Sequence, residues 1–298
     1  MRALVTGANG FVGNWLVAHL RDQGDEVIET DREMDVTDPE VVRSTIVAVQ
    51  PEAIYHLAAL THVGRSFQDP TSVLKVNAIG TLSVLEASRA CSNPPRVLVI
   101  SSAEVYGAVS ENDLPLTEAS PLAPVSPYAA SKISAEFLAV QAHLAYGLPT
   151  LRVRPFNHVG PGQLPEFAVS ALASRIVEAK RSGAAWISVG NLTARRDLTD
   201  VRDVVRGYRL LVTDGAPGAV YNICSGRAVA IQEIADRLLA IAGSDLELRT
   251  DPDLVRPVDV PVLLGDPSRI EKETGWKPEI DLDQTLADVL EEAERRTS

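Results

Sequence analysis

Thr6-Gly7-Ala8-Asn9-Gly10-Phe11-Val12-Gly13 decides how this chain reads. The stretch follows the apolar run Arg2–Thr6 and precedes residues 11–21, whose apolar positions recur at helical spacing. Three glycines between a strand and a helix suit a dinucleotide loop. Gly7 lets the chain turn sharply, Gly10 lets backbone approach a pyrophosphate, and Gly13 lets helix and sheet pack closely. The helix N-terminus adds a positive partial charge at the phosphate site. Asn9, Phe11 and Val12 complete the loop residues expected at the cofactor. The next strand pattern, Glu26–Thr30, leads to Asp31, eighteen residues past Gly13, where a carboxylate can accept hydrogen bonds from the adenosine ribose. Its charge would repel a 2′-phosphate and slightly favours NAD. Arg32 follows and could instead hold that phosphate, so NAD and NADP both stay open. Asp35 and Val36 lie where a side chain and backbone can reach the adenine.

Outward from the loop, strand and helix patterns alternate. Residues 39–49 read as a helix, 53–57 as a strand, 72–90 as a long helix and 96–101 as a strand. A helix over 127–146 and a strand over 150–153 follow. Strands separated by helices imply βαβ units, and strands apolar on both faces imply a parallel sheet covered on both sides. The expected fold class is therefore α/β, a Rossmann-type doubly wound parallel sheet with a smaller C-terminal α/β substrate domain. After Arg154 prolines and glycines break the pattern. Residues 1–154 read as a dinucleotide-binding domain with a return segment near 191–222, and residues 155–298 as mainly a substrate-binding domain. Helices are expected near 167–181, 201–212, 231–242 and 283–294.

Tyr128-Ala-Ala-Ser-Lys132 opens the helix that follows Ser126-Pro127. A four-residue step places Tyr128 and Lys132 on one face. A free phenol titrates near ~10, and an ammonium one turn away should lower that value, leaving a tyrosine able to act as general acid or base on a carbonyl or alcohol. The strand over 96–101 ends in Ser101-Ser102-Ala103-Glu104, and functional groups gather at strand C-terminal ends. Ser102 can hydrogen-bond the same substrate oxygen as Tyr128. Of the five histidines, His19 and His56 fall in packed patterns and read as structural, while His158 stands at a strand end where a ligand can approach.

The chain has 298 residues and a formal net charge of −12, which argues against nucleic-acid and anionic-membrane binding. No apolar run reaches the ~18–20 residues that span a bilayer, and the N-terminal residues do not resemble a signal peptide. Cys91 and Cys224 read as reduced, partly buried thiols of a cytoplasmic protein, and no cysteine or histidine spacing suggests a metal.

Taken together these residues resemble the extended short-chain dehydrogenase/reductase superfamily, the epimerase/dehydratase branch that modifies nucleotide sugars. Further matching stretches are His56-Leu-Ala-Ala59, Asn77 within Val76-Asn-Ala-Ile-Gly-Thr-Leu, and Arg154-Pro-Phe-Asn157. The resemblance implies that Ser102, Tyr128 and Lys132 form the catalytic set, that Lys132 also binds the nicotinamide ribose, and that Leu57, Ala58 and Ala59 line the cofactor. In the C-terminal half, Phe156-Asn-His-Val-Gly-Pro-Gly-Gln163, the run Val189 to Asp197, Tyr221-Asn-Ile-Cys-Ser-Gly226, Arg256-Pro-Val-Asp-Val-Pro261 and Thr274-Gly-Trp-Lys-Pro278 are most similar to GDP-4-dehydro-6-deoxy-D-mannose reductases. That likeness implies reduction of a 4-keto sugar to GDP-D-rhamnose, with Asn157, Arg196 and Arg256 on the GDP-linked sugar. Arginine forks suit a diphosphate. GDP-mannose 4,6-dehydratases share several of these stretches, and a nucleotide-sugar 4-epimerase is a further alternative. In many related dehydratases an acidic residue stands where this chain has Ala103, which cannot donate a proton. The superfamily pairs helices such as 72–90 and 127–146 across a dimer interface, so a homodimer is expected.

Overall fold

The computed structural model describes residues 1–254 and 260–297. Its first half is a strict alternation: β1 (Arg2–Thr6), α1 (Phe11–Asp22), β2 (Glu26–Thr30), α2 (Pro39–Val49) and β3 (Ala53–His56). Two short helices, α3 (Val63–Ser66) and α4 (Pro70–Leu74), lead through a π-helical turn, Lys75–Ile79, into α5 (Gly80–Arg89). Then come β4 (Arg96–Ile100), a 3₁₀ turn Ala103–Tyr106, α6 (Pro127–Tyr146), β5 (Thr150–Pro155) and β6 (Asn157–Val159). The second half holds α7 (Ala168–Ser182), β7 (Trp186–Val189), β8 (Arg195–Asp200), α8 (Val201–Asp214), β9 (Val220–Ile223), β10 (Ala228–Ala230) and α9 (Ile231–Ile241). It closes with β11 (Glu247–Thr250), β12 (Val262–Leu263), α10 (Ser268–Thr274) and α11 (Leu282–Thr297).

Six strands form one parallel sheet in the order β2-β1-β3-β4-β5-β9. The order reverses at β1, so a crevice opens between the C-terminal ends of β1 and β3, the place where such sheets bind ligands. Alternate strand residues serve two cores. Ala3, Val5, Tyr55, Leu98 and Val153 pack with α1 and α8 on one face. Leu4, Ile54, Val97 and Val99 pack with α2, α5 and α6 on the other. A smaller sheet, β10-β8-β12 with β6 beside β8, and the β7–β11 pair rest with α7, α9 and α11 on a separate apolar cluster.

Two sequence expectations change. The return to the large sheet is narrower than residues 191–222: β8 pairs with β6, β10 and β12, and only α8 and β9 rejoin the six-stranded sheet. A later segment joins them, since Ile270 and Trp276 are fully buried in the α1–α8 core. The long helix over 72–90 is interrupted by the π turn, which carries Asn77 inward. There Asn77 accepts from the Leu60 amide at 2.8 Å and donates to Leu60 O at 3.0 Å and Ser131 Oγ at 2.9 Å. π turns recur where a side chain must leave helical register for a function.

Trp276 tests the assignment of the late segment to the nucleotide-binding half. Its indole donates to Asp203 O at 2.9 Å and its ring is 0% exposed. Trp276→Ala is expected to lower unfolding free energy by about 3–5 kcal/mol. A denaturant titration showing a loss under about 1 kcal/mol would contradict that packing.

Candidate active site

The glycine loop sits at the crevice. Gly7 adopts φ +69°, and a Cβ there would lie 2.8 Å from the Ala58 amide nitrogen. A Cβ on Gly13 would stand 2.3 Å from Gly7 O. Both glycines are therefore required by close backbone approach. α1 starts after Gly10, a cap that offers no side-chain acceptor to the first-turn amides, which suits an anion arriving from outside. Asp31 Oδ2 accepts from the Asn9 amide at 2.9 Å, so the carboxylate stands beside the loop. Leu57 N donates to Thr6 O and Ala58 N to Thr6 Oγ1, which brings the end of β3 against the same loop. Arg32 and Asp35 are exposed, and Val36 is buried, with a side-chain carbon 2.7 Å from where a Gly80 Cβ would lie. These residues form a cradle into which a dinucleotide fits.

Across the crevice, Ser126 caps α6 by accepting from the Ala129 amide at 3.1 Å, and Pro127 fits the first turn. Tyr128 and Lys132 are 7% and 5% exposed on one face of the helix. Ser102 caps the 3₁₀ turn, accepting from Glu104 N at 3.2 Å, and its side chain lies beside the Tyr128 phenol. Lys132 Nζ donates to Ile100 O at 2.8 Å and lies 5.9 Å from the Tyr128 ring centre.

The expected electrostatics are reversed. Burial pushes the Tyr128 phenol up to about 12; the Ser102 hydroxyl opposes this and Glu104 adds to it. Lys132 does not act as its acidifier here, because its ammonium is aimed at a carbonyl. Burial lowers Lys132 itself to about 8, with Glu136 opposing. His56 is structural: its ring bonds Thr6 Oγ1 at 2.8 Å and Thr81 Oγ1 at 3.1 Å, and burial holds it neutral at about 3.

Asn157 is exposed at the start of β6. Arg196 stands two residues before Leu198, the ladder partner of Asn157, and so on the same side of the ladder. Its Nη1 donates to Val260 O at 2.7 Å, and its guanidinium has further contacts. Arg256 lies outside the described residues. His158 stacks on Phe11 with ring centres 6.2 Å apart, so the segment expected at the substrate touches the start of α1. Sequence reasoning singled out Asn77 only within a matching stretch, without a role, and missed Trp15, whose indole donates to Pro161 O at 2.8 Å, and Glu136. Glu136 carried one visible sign, its position one helical turn past Lys132.

A glycine-loop crevice in a parallel sheet, with a half-buried Ser102 and a buried Tyr128 and Lys132 beside it, is the arrangement of a pyridine-nucleotide-dependent oxidoreductase of the Rossmann class. The family model described as GDP-mannose 4,6 dehydratase matches residues 32–289, and the chain belongs to that family. It is 38% identical over 298 residues to GDP-6-deoxy-D-mannose reductase from Pseudomonas aeruginosa, covering 99% of this chain and 98% of the relative. It is 34% identical to GDP-6-deoxy-D-talose 4-dehydrogenase from Aggregatibacter actinomycetemcomitans, covering 91% and 90%. Among solved structures, RMD from Pseudomonas aeruginosa complexed with NADPH superposes with a TM-score of 0.91 at 36% identity, covering 99% of this chain and 100% of the other.

The buried cation gives a testable pH signature. A lysine whose folded value falls to about 8 from an ordinary 10.5 destabilises the fold while both states are protonated. The penalty fades as pH rises through that window. Lys132→Met should therefore be more stable than the wild-type chain at pH 7, by on the order of 1–3 kcal/mol, with the gap closing between pH 8 and 10.5. A gap constant over that range in parallel denaturant titrations would refute the buried ammonium.

Proposed function

We propose that this chain reduces the 4-keto group of GDP-4-dehydro-6-deoxy-D-mannose to GDP-D-rhamnose, as an NAD(P)-dependent nucleotide-sugar oxidoreductase. The observation that carries the reading is Tyr128, buried in the first turn of α6 beside Ser102 and one turn from Lys132, with a phenol that burial keeps protonated. A protonated phenol is the form needed to hand a proton to a sugar oxygen becoming an alkoxide. The likeness to a GDP-6-deoxy-D-mannose reductase, 38% identity over nearly the full length, supports the substrate class.

Gly7, Asn9, Gly10, Phe11, Val12 and Gly13 would hold the pyrophosphate side of the cofactor, Asp31 its adenosine ribose, and Leu57, Ala58 and Ala59 its flank. When bound, the reduced nicotinamide supplies a hydride. Ser102 donates its hydroxyl to the substrate carbonyl and orients it. Tyr128 delivers its phenolic proton to the same oxygen. The Lys132 ammonium would hold the nicotinamide ribose and lower the energy of the phenolate left behind. Asn157 and Arg196 would receive the sugar and diphosphate, and the sequence likeness adds Arg256 to that set.

Ala103 argues against dehydration. It is 1% exposed in an apolar cluster with Tyr106 and Phe156, so neither its chemistry nor its setting offers a proton at that position. The reading places the enzyme in the cytoplasm, consistent with two free, buried cysteines, and as a homodimer. Leu74 and Ile79 on one helical run and Phe137 and Leu144 on α6 are exposed apolar side chains of the expected interface helices. Light scattering should give twice the chain mass, and a monomer at micromolar concentration would exclude this dimer.

The deciding assay mixes protein, GDP-4-dehydro-6-deoxymannose and NADH or NADPH and follows the nicotinamide absorbance. Stoichiometric oxidation is expected. No oxidation, with GDP-mannose converted to a keto sugar, would select dehydration instead. Tyr128→Phe should lower kcat by about 10²–10⁴-fold while cofactor binding persists. Full activity in that variant would remove Tyr128 from the chemistry. NADH should be the better cofactor, and Asp31→Ala should shift the NADH-to-NADPH ratio of kcat/KM towards NADPH by about tenfold. An unchanged ratio would show that Asp31 does not discriminate.

A further inference from the structure

One turn of α6 beyond Lys132 stands Glu136, 1% exposed, on which three donors converge. Arg154 Nε reaches Oε1 at 2.9 Å and Arg154 Nη2 reaches Oε2 at 2.8 Å. Ser101 Oγ donates to Oε1 at 2.5 Å, and Arg152 lies 4.0 Å from Oε2. Arg154, 4% exposed, turns its remaining nitrogen to Tyr106 OH at 3.1 Å and Glu118 O at 3.2 Å. Tyr106 OH in turn donates to Asn222 Oδ1 at 2.7 Å.

Four members of this cluster, Ser101, Tyr106, Glu136 and Arg154, sit on segments that carry proposed active-site residues. Ser101 adjoins Ser102. Tyr106 closes the turn that Ser102 caps. Glu136 is four residues from Lys132, and Arg154 is three from Asn157. A buried ion pair contributes little net stability, because desolvation consumes most of the Coulomb gain. What the fork-to-carboxylate geometry does supply is a fixed distance and direction between β4, β5 and α6. The cluster also matters for charge. Lys132 is faced on its own helix by Tyr128 and Glu136, and from β3 by neutral His56. Glu104 lies near the phenol. Of these carboxylates, Glu136 is the one that acts on the ammonium.

We propose that Glu136 is a positioning residue for the reduction proposed above. Clamped by Arg154 and Ser101, it provides the counter-charge that keeps Lys132 an ammonium and locks the strand end bearing Ser102 to the helix turn bearing Tyr128. The inference rests on the reductase reading for its kinetic consequence, but its electrostatic part does not.

Glu136→Gln keeps an acceptor for the arginine and serine and removes the charge. In ligand-free protein carrying ¹³C-lysine, the Lys132 Cε resonance should titrate about one pH unit lower than in the wild-type chain. In turnover, kcat should fall about tenfold at pH 8 and less at pH 6, with KM within about threefold. A folded variant with an unmoved Lys132 titration overturns the proposal. Should that variant fail to fold, Ser101→Ala decides, since both charges remain: kcat about fivefold lower at unchanged KM supports the clamp, and any other pattern overturns it. Wild-type protein run in parallel separates the two ideas. If it does not oxidise NAD(P)H with the keto sugar, the reductase reading fails, while the lysine titration still reports on Glu136.

Discussion

An ammonium ion out of water is costly unless oriented dipoles or opposite charge surround it, and the centre of this molecule is arranged about one. Lys132 is held by the carbonyl of Ile100 at the end of β4 and by the field of Glu136 below it. Neither partner is near in sequence to the glycine loop, yet both depend on the sheet order that the loop begins. β4 lies beside β3 and β5 because the chain crosses over from β2 past β1, and α6 then covers the face toward which Arg154 and the Ile100 carbonyl turn. The cofactor cradle and the proton-transfer group are thus two results of one strand order.

The resting electrostatics follow from the same burial. Tyr128 is raised and Lys132 is lowered, each chiefly by loss of water. A phenol beside an ammonium is usually read as acidified, but here the ammonium is directed at Ile100 O and burial outweighs it. For a reductase that is an advantage: the proton stays on the phenol until a sugar oxygen needs it. The lysine is then free to act on the product phenolate rather than on the ground state, which is where an interaction accelerates a reaction.

The elements that sequence periodicity revealed were those whose burial repeats along the chain. β1, β3 and β4 are apolar on both faces because helices cover both, and α1, α2 and α6 show their core faces plainly. Glycines 7, 10 and 13 were legible because close backbone contact excludes a Cβ at Gly7 and Gly13. What stayed hidden was long-range. Nothing local marks the π turn at Asn77, whose partners Leu60 and Ser131 are 17 and 54 residues away. Likewise β8 alternates like any strand, and only its pairing with β6, β10 and β12 keeps it out of the large sheet. Glu136 read as one more polar residue on a helix until Arg154 closed on it.

The last constraint joins the halves. Trp15, one turn into α1, donates to Pro161 O and carries Arg202 over its ring at 5.9 Å. Arg202 is forked onto Asp200 and bridges to Asp288 on α11, while Arg296 of the same helix donates to Gln163 O at 3.2 Å. With Phe11 stacked on His158, the N-terminal turn of α1 therefore bears on residues 158–163 as well as on the cofactor cradle. The segment that leads from Asn157 into the substrate half is set by the helix that would bind the pyrophosphate. The proposed substrate and cofactor sites share this one turn, so a shift of α1 large enough to spoil one must displace the other.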